Sequence, residues 1–482
     1  MQPTRLSAVG ERARFWKLGY TENGLKSQRR RAADAHVGHS SFLGEKRMFS
    51  PIQLKQGVYL VEGAYRSAIY DTNTGKVYSI NQRAKRIILG EVNDEKFLHT
   101  LVSLNLIDVS DYKSPVNTTF SQANTILPVK FIWFEVTTSE CNERCVHCYA
   151  NSAPIKSKEF FPVGKPKLTF CRWKELVHEG ANLGAKACQF IGGEPFLYRG
   201  EKGEDVLDLA QVARHAGYDI VEIYTNGTLL TGERIQRIKE LGVEVAVSLY
   251  SVYENVHDAI TRTPGSFRLT MRALKLLKSA GIPTRVETII LRANQHTIDE
   301  TLSWVESHGF KHRSPDVLRP IGRGQNNHLL PDSNYIVQYG LQTTADFHVD
   351  ADIFIHHLSM HPCLSGKLVI TETGDVLPCV FSRNQIIANV SDNTLRDVVF
   401  SDKLQSVWRI TKDDVLVCQD CEYRYACSDC RPIAYAGAEY RTDYSHAPYP
   451  LCTYNPYTGE WGNGLWRVDE NGVPFYERQD HF

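Results

Sequence analysis

Cysteine is absent from the first 140 residues, no long apolar run occurs, and neither sign of charge is in excess. Each absence excludes something. Lys plus Arg and Asp plus Glu stand at 55 each, so no global field draws the 482-residue chain to nucleic acid or an anionic membrane. Without an apolar run of roughly 18 residues there is no candidate transmembrane helix. The N-terminus lacks the apolar core of a secretory signal. These features give the expectation of a soluble, cytoplasmic protein with no membrane partner. In a reducing compartment, twelve cysteines do not read as a disulfide framework. Their distribution is lopsided: three cluster at Cys141, Cys145 and Cys148, Cys171 and Cys188 stand alone, and seven follow residue 360. Short spacings of this kind point to metal. Cys171 and Cys188 read as buried packing, with a hydrogen-atom donor as the alternative.

The length suggests two to four domains. Residues 1–47 are polar and Arg-rich, without apolar periodicity, and read as a disordered basic extension upstream of Met48. Residues 48–115 read as one small module. VYLVEGAYRSAIYDTNTGKVYSIN has apolar alternation on both sides of TNTG, a β-hairpin signature, and RAKRIILG and DEKFLHTLVSLNLI read as short helices. Hairpin plus helices suggests a winged-helix-like unit. A DNA-binding use is the alternative, but Lys and Arg do not dominate it and nucleic acid is not the expected partner. A polar linker follows over 111–128.

Between residues 128 and 330, apolar strand-like runs alternate with helical patterns: FIWFEV, CQFIGG, DIVEIY, VEVAVSLY, RVETIIL and DVLRPI. Six strand–helix units predict a parallel α/β sheet with its chemistry at the strand C-termini. The first run leads into CNERCVHC. Three thiolates on one loop can hold three irons of a cubane and leave the fourth open. Zinc is the alternative, with His147 as fourth ligand.

CxxxCxxC after a first strand resembles the radical S-adenosylmethionine (radical SAM) superfamily, though His147 stands where that family often has an aromatic residue. The resemblance implies a partial (β/α)6 barrel. It also implies a 4Fe–4S cluster on Cys141, Cys145 and Cys148, whose open iron chelates S-adenosylmethionine (SAM) and cleaves it reductively to a 5′-deoxyadenosyl radical. GGEP (Gly192, Gly193, Glu194, Pro195) is similar to the family's motif for the cofactor's amino group. Asn226 of TNGT resembles a ribose contact, although Asn-Gly is also an ordinary turn. Ser248 and Arg262 resemble the pair that holds the carboxylate and ribose, with a surface salt bridge as the other reading of Arg262. Ile290 and Leu291, with PIGRG (Pro320–Gly324), would flank the adenine.

In the last third, Cys363, Gly374 and Cys379 are followed by Cys418, Cys421, Cys427, Cys430 and Cys452. This series resembles the SPASM extension; the one departure is two residues, not three, between Cys427 and Cys430. By that resemblance two auxiliary 4Fe–4S clusters are expected over 355–460. Cys363, Cys379 and Cys430 would serve the first, and Cys418, Cys421, Cys427 and Cys452 the second. A tail over 461–482 carries Trp461, Trp466, Phe475 and Tyr476, enough apolar surface to pack on the core. The N-terminal module resembles, in position, the PqqD-like element with which maturases of ribosomally made peptides recognise a leader peptide by strand addition. The expected function is therefore modification of a precursor peptide or protein, by cross-linking or oxidation. An electron donor such as flavodoxin or ferredoxin would supply the reduction. A SPASM enzyme for a small molecule or tetrapyrrole, and an iron–sulfur winged-helix regulator of DNA, are the alternatives. No catalytic base is assigned.

Overall fold

The computed structural model describes residues 51–107, 126–158, 160 and 164–478. The basic arm expected over 1–47 and most of the expected linker lie outside these residues. Two compact units result, and their division does not follow the expected 48–115 module: Leu60–Ser79 belongs with residues 119–482, and the segments on either side of it form the other unit.

In the smaller unit, helices Gln82–Ile88 and Glu95–Ser103 are capped by Asn81 and Asp94, whose side chains accept from the Ala84 and Phe97 amides. Such caps satisfy amides that a helix start leaves open. The chain before them is tied in by a bridge between Leu54 and Ile107.

The stretch read as one hairpin is a three-stranded meander: β1 (Val58–Glu62), β2 (Ser67–Asp71) and β3 (Lys76–Ile80), with β2 central. The extra turn, Gly63–Arg66, is closed by the Gly63 amide on the Arg66 carbonyl. Every residue of β2 is buried, so alternation fails there. The cause is a partner far along the chain. Tyr70 packs its ring against Phe354 at 5.1 Å and donates its hydroxyl to the Glu422 carbonyl at 2.9 Å. Ser79 Oγ reaches Glu422 Oε1 at 3.1 Å, and the Ala64 amide donates to the Asp420 carbonyl.

The larger unit is built on parallel strands β4 (Phe131–Thr137), β5 (Ala187–Gly192), β6 (Ile220–Thr225), β7 (Glu244–Ser248) and β8 (Thr284–Glu287), paired in sequence order. The fifth expected strand breaks at Thr288, whose hydroxyl turns to the Leu249 carbonyl. Beyond the break, β9 (Ile289–Ile290) leaves the main sheet. A two-residue strand, β10 (Lys311–His312), extends the main sheet beside β8, while β11 (Asp316–Val317) pairs with β9. On the opposite edge, β12 (Lys367–Thr371) lies parallel to β4 and is followed by antiparallel β13 (Asp375–Leu377) and β14 (Ala388–Asn389). Gly374, at φ +83°, makes the turn between β12 and β13. The cysteine-rich region thus begins as part of the barrel sheet. The architecture is the expected α/β partial barrel with an iron–sulfur-type extension.

Helices cover the sheet because its strands are apolar on both faces. Phe134 sits between Phe190 (5.4 Å) and Trp173 (6.1 Å). Cys188 is fully buried in this core, as expected; Cys171 is exposed on the first turn of helix Phe170–Asn182. The packing reading of Cys171 is therefore corrected. Residues 464–478 form an antiparallel hairpin, β15 (Gly464–Val468) and β16 (Pro474–Arg478), and Trp466 Nε1 donates to the Tyr454 carbonyl. No helix among the described residues is long and apolar enough to cross a membrane.

Candidate active site

The C-terminal ends of β4–β7 lie side by side, because the strands are neighbours in parallel register. The CNERCVHC loop leaves β4 and is held through its backbone. The Arg144 and Val146 amides donate to the Thr261 and Ile260 carbonyls. Arg323 donates from Nε to the Cys145 carbonyl (2.8 Å) and from Nη2 to the Ser152 carbonyl (2.7 Å). Gly322, at φ +59°, comes so close that a Cβ there would lie 2.4 Å from the Tyr149 carbonyl oxygen. PIGRG therefore lies against the cysteine loop and braces it.

Cys141 is buried; Cys145 and Cys148 are half-buried. Burial pushes the Cys141 and Cys145 thiols up, and the Glu143 carboxylate and neighbouring thiols push them further. Burial likewise lifts Glu143 to about 8. Crowded thiols in a dry loop become thiolates at low cost only against a cationic group such as iron. The donor set fits a cubane with an open iron. His147 accounts for the departure from an aromatic residue: its ring meets Tyr250 edge-on at 4.8 Å, and burial lowers its pKa to about 4. A neutral imidazole fills the aromatic position.

The remaining expected cofactor residues fall around this loop. A Cβ on Gly193 would lie 2.0 Å from the Glu140 carbonyl oxygen, so the glycine lets the chain leaving β5 press against the cysteine loop. The Glu194 carboxylate is fully engaged: it accepts from Thr225 Oγ1 (2.8 and 2.9 Å), the Asn226 amide (2.9 Å) and the Phe196 amide (3.1 Å). It works as a strut between the ends of β5 and β6, and Pro195 opens the short helix it caps. Asn226 Nδ2 donates to Asn142 Oδ1 at 2.9 Å, tying the end of β6 to the cysteine loop. Ser248 closes β7 with Oγ 3.5 Å from the Tyr224 hydroxyl. Leu291 packs with Tyr250, Ile260 and Leu318 behind Cys145 and Val146. Arg262 follows directly on the Ile260–Thr261 backbone that holds the loop, exposed and with left-handed φ of +51°.

Sequence reasoning missed Glu135, Arg383, Tyr149 and Arg319. Glu135 is fully buried at the end of β4 and takes a bidentate salt bridge from Arg383, one bond at 2.8 Å. Tyr149 Oη donates to Glu135 Oε1 at 3.1 Å and stacks beneath Arg383. The available signal was a lone carboxylate in an otherwise apolar strand. Removing one partner leaves a buried charge, so Arg383→Met is expected to cost about 3–5 kcal/mol and lower the thermal midpoint. Adding Glu135→Gln is expected to recover much of that loss.

His257 carries a pH dependence. It is buried beside Tyr250, whose amide donates to its Nδ1 at 3.3 Å, and burial lowers its pKa to about 4. The unfolded chain binds this proton near the ordinary value of 6.5. Below that pH the unfolded state gains protons first, so stability falls as pH drops from 6.5 towards 4. At pH 5 the loss from this group is about 2 kcal/mol. His257→Gln is expected to flatten the pH dependence of the thermal midpoint over this window.

Farther along, Cys418, Cys421, Cys427 and Cys452 line one cavity with Phe347, Tyr423, Trp461 and Trp466. Lys412 and Arg424 line it too, and cations offset the negative charge of a thiolate-bound cluster. Cys379 is buried, Cys430 half-buried and Cys363 exposed. Burial pushes the Cys379 and Cys430 thiols up, and the charge of Cys363 beside both, and of Cys379 beside Cys430, pushes them further. Cys418, Cys421, Cys427 and Cys452 thus share one cavity, and Cys363, Cys379 and Cys430 are close enough for the charges of Cys363 and Cys379 to act on Cys430.

Residues 136–305 match the radical SAM superfamily, and residues 362–431 match the SPASM iron–sulfur cluster-binding domain. The chain is a radical SAM/SPASM enzyme. These domains imply a 4Fe–4S cluster with SAM, and auxiliary clusters. An AdoMet-dependent heme synthase of Methanosarcina barkeri is 26% identical over 349 residues, covering 66% of this chain and 95% of the relative. A PqqA peptide cyclase of Gluconobacter oxydans is 24% identical, covering 66% and 89%. The crystal structure of Streptococcus suis SuiB superposes with a TM-score of 0.50 at 13% identity, covering 83% of this chain and 99% of that one. That likeness concerns the fold.

Proposed function

We propose that this radical SAM/SPASM enzyme modifies an amino-acid side chain of a ribosomally made peptide or protein. The observation that carries the reading is a cavity of about 230 Å³ beside the cysteine loop. Tyr149, Gly322, Phe381, Arg383, Tyr435 and Tyr444 are among its lining residues. Its volume lies below the range for drug-sized ligands and suits one side chain. The one charged residue of the lining is Arg383, already neutralised by Glu135. A tetrapyrrole carrying several carboxylates needs more room and uncompensated cations. A neutral side chain needs neither, and rings such as Phe381 and Tyr435 offer it apolar contact.

In this reading Cys141, Cys145 and Cys148 hold the SAM-cleaving cluster, and Gly192, Gly193, Asn226, Ser248, Arg262 and Leu291 surround the cofactor. Cys363, Cys379 and Cys430 hold one auxiliary cluster; Cys418, Cys421, Cys427 and Cys452 hold the other. Bound there, cluster and SAM would supply the radical chemistry for abstracting a hydrogen atom from the substrate. The chain's own part is positioning: Glu194 fixes the strand ends, PIGRG braces the loop, and the Glu135–Arg383–Tyr149 set shapes the wall facing the substrate. The β3 edge of the meander would take a leader peptide as an added strand. A low-potential donor, flavodoxin or ferredoxin, would complete the system.

The test is a titration of the anaerobically reconstituted enzyme with an iron tetracarboxylate porphyrin, followed by its Soret band. No saturable shift at micromolar porphyrin is the expected result. Saturable binding, weakened by Phe381→Ala, would place a tetrapyrrole in this cavity and end the peptide reading.

A further inference from the structure

RPIGRG, at the end of the sixth strand–helix unit, carries two arginines that reach two different cysteine sets. Arg323 holds the carbonyls of Cys145 and Ser152, and its amide donates to the Cys148 carbonyl. Arg319 turns the other way. Its Nη1 lies 3.3 Å from Cys430 Sγ, its guanidinium lies 4.4 Å from the centre of the Phe381 ring, and its Nη2 holds Asp316 Oδ2 at 2.8 Å. Phe381 follows Cys379 by two residues, so ring and thiol belong to the same cysteine set. The Arg319 side chain is 24% exposed and its Asp316 partner 60% exposed, so the counter-charge is the better screened of the two.

We propose that Arg319 sets the reduction potential of the cluster on Cys363, Cys379 and Cys430. The inference rests on the assignment of that auxiliary cluster. One-electron reduction makes a thiolate-bound cluster more negative by one charge. Hydrogen bonds to the sulfurs and nearby cations favour the reduced form and raise the potential. An N–H···S contact from a guanidinium supplies both, and charge-assisted bonds are the stronger kind. Arg319 touches no reacting atom, so it is a positioning residue. Because RPIGRG also braces the Cys141–Cys148 loop, one short segment fixes the surroundings of both cysteine sets.

The test is an EPR-monitored redox titration of the full-length reconstituted enzyme. The signal that disappears in Cys379→Ala identifies the cluster in question. Arg319→Met is expected to lower the potential of that cluster alone, and Arg319→Lys to recover part of the shift. Unchanged potentials in Arg319→Met, or equal shifts of all clusters, would overturn the inference while leaving the cluster assignment standing. Loss of no signal in Cys379→Ala would overturn the assignment itself, and the inference with it. If Arg319→Met does not assemble, Asp316→Asn decides: removing the carboxylate is expected to raise the same potential, and no change or a fall would contradict the proposal.

Discussion

Replacing Cys141, Cys145 and Cys148 together with Ala is expected to remove about four irons per chain and all formation of 5′-deoxyadenosine. The variant should remain folded. The loop is held by backbone bonds from Arg144 and Val146 to Thr261 and Ile260, and by Arg323 on the Cys145 carbonyl, none of which uses a thiol. The apolar packing of Val146 against Tyr250, Ile260, Leu291 and Leu318 is likewise independent of the sulfurs. The loss therefore reports missing cluster chemistry and not a collapsed loop. Iron and sulfide analysis with chromatography of the nucleoside products checks it. Residual 5′-deoxyadenosine from the triple variant would move the SAM site elsewhere.

Replacing Leu60–Ser79 with a Gly-Ser linker of equal length is expected to cost a further cluster, that of Cys418, Cys421, Cys427 and Cys452. At first sight these strands belong to a peptide-recognition module that could be removed without harm to the metal sites. The contacts say otherwise. The Ala64 amide holds the Asp420 carbonyl, Tyr70 holds the Glu422 carbonyl, Ser79 holds the Glu422 carboxylate, and Arg424 donates to the Glu62 carbonyl. Asp420, Glu422 and Arg424 alternate with or adjoin Cys421, so the meander is a wall of that loop. Losing about four irons, with the Cys141–Cys148 cluster intact, is the expected outcome. Tyr70→Phe removes a single hydrogen bond and is expected to cost only about 1 kcal/mol, with iron retained. A linker variant that keeps its full iron content would show that the meander is dispensable to the metal site.

What the sequence revealed follows from which interactions are local. The barrel strands were legible because a parallel strand buried on both faces leaves an unbroken apolar run such as FIWFEV. The CxxxCxxC loop stood out because Cys141, Cys145 and Cys148 fall within eight residues, whereas Cys363, Cys379 and Cys430 are widely spaced and were grouped by resemblance alone. The pairing of β12 with β4 left no local mark: nothing in KLVIT, between Cys363 and Cys379, shows that it extends the barrel sheet. Glu135 and Arg383 are 248 residues apart, and nothing near either names the other. β10 is two residues long, below what alternation can signal. SAIYD misled for the opposite reason: its pattern suggested a half-exposed strand, and the second face is covered by Phe354 and the Cys418–Cys427 loop. Glu194 was legible as a site residue through GGEP, but its use as a strut to Thr225 and Asn226 depends on a neighbouring strand end.

The most direct measurement is product analysis of the wild-type enzyme, reconstituted anaerobically, reduced with dithionite and given SAM alone. The expected result is 5′-deoxyadenosine and methionine in equal amounts, formed only with reductant. Unchanged SAM, or S-adenosylhomocysteine in place of 5′-deoxyadenosine, would contradict the assignment of Cys141, Cys145 and Cys148 to a radical-generating site.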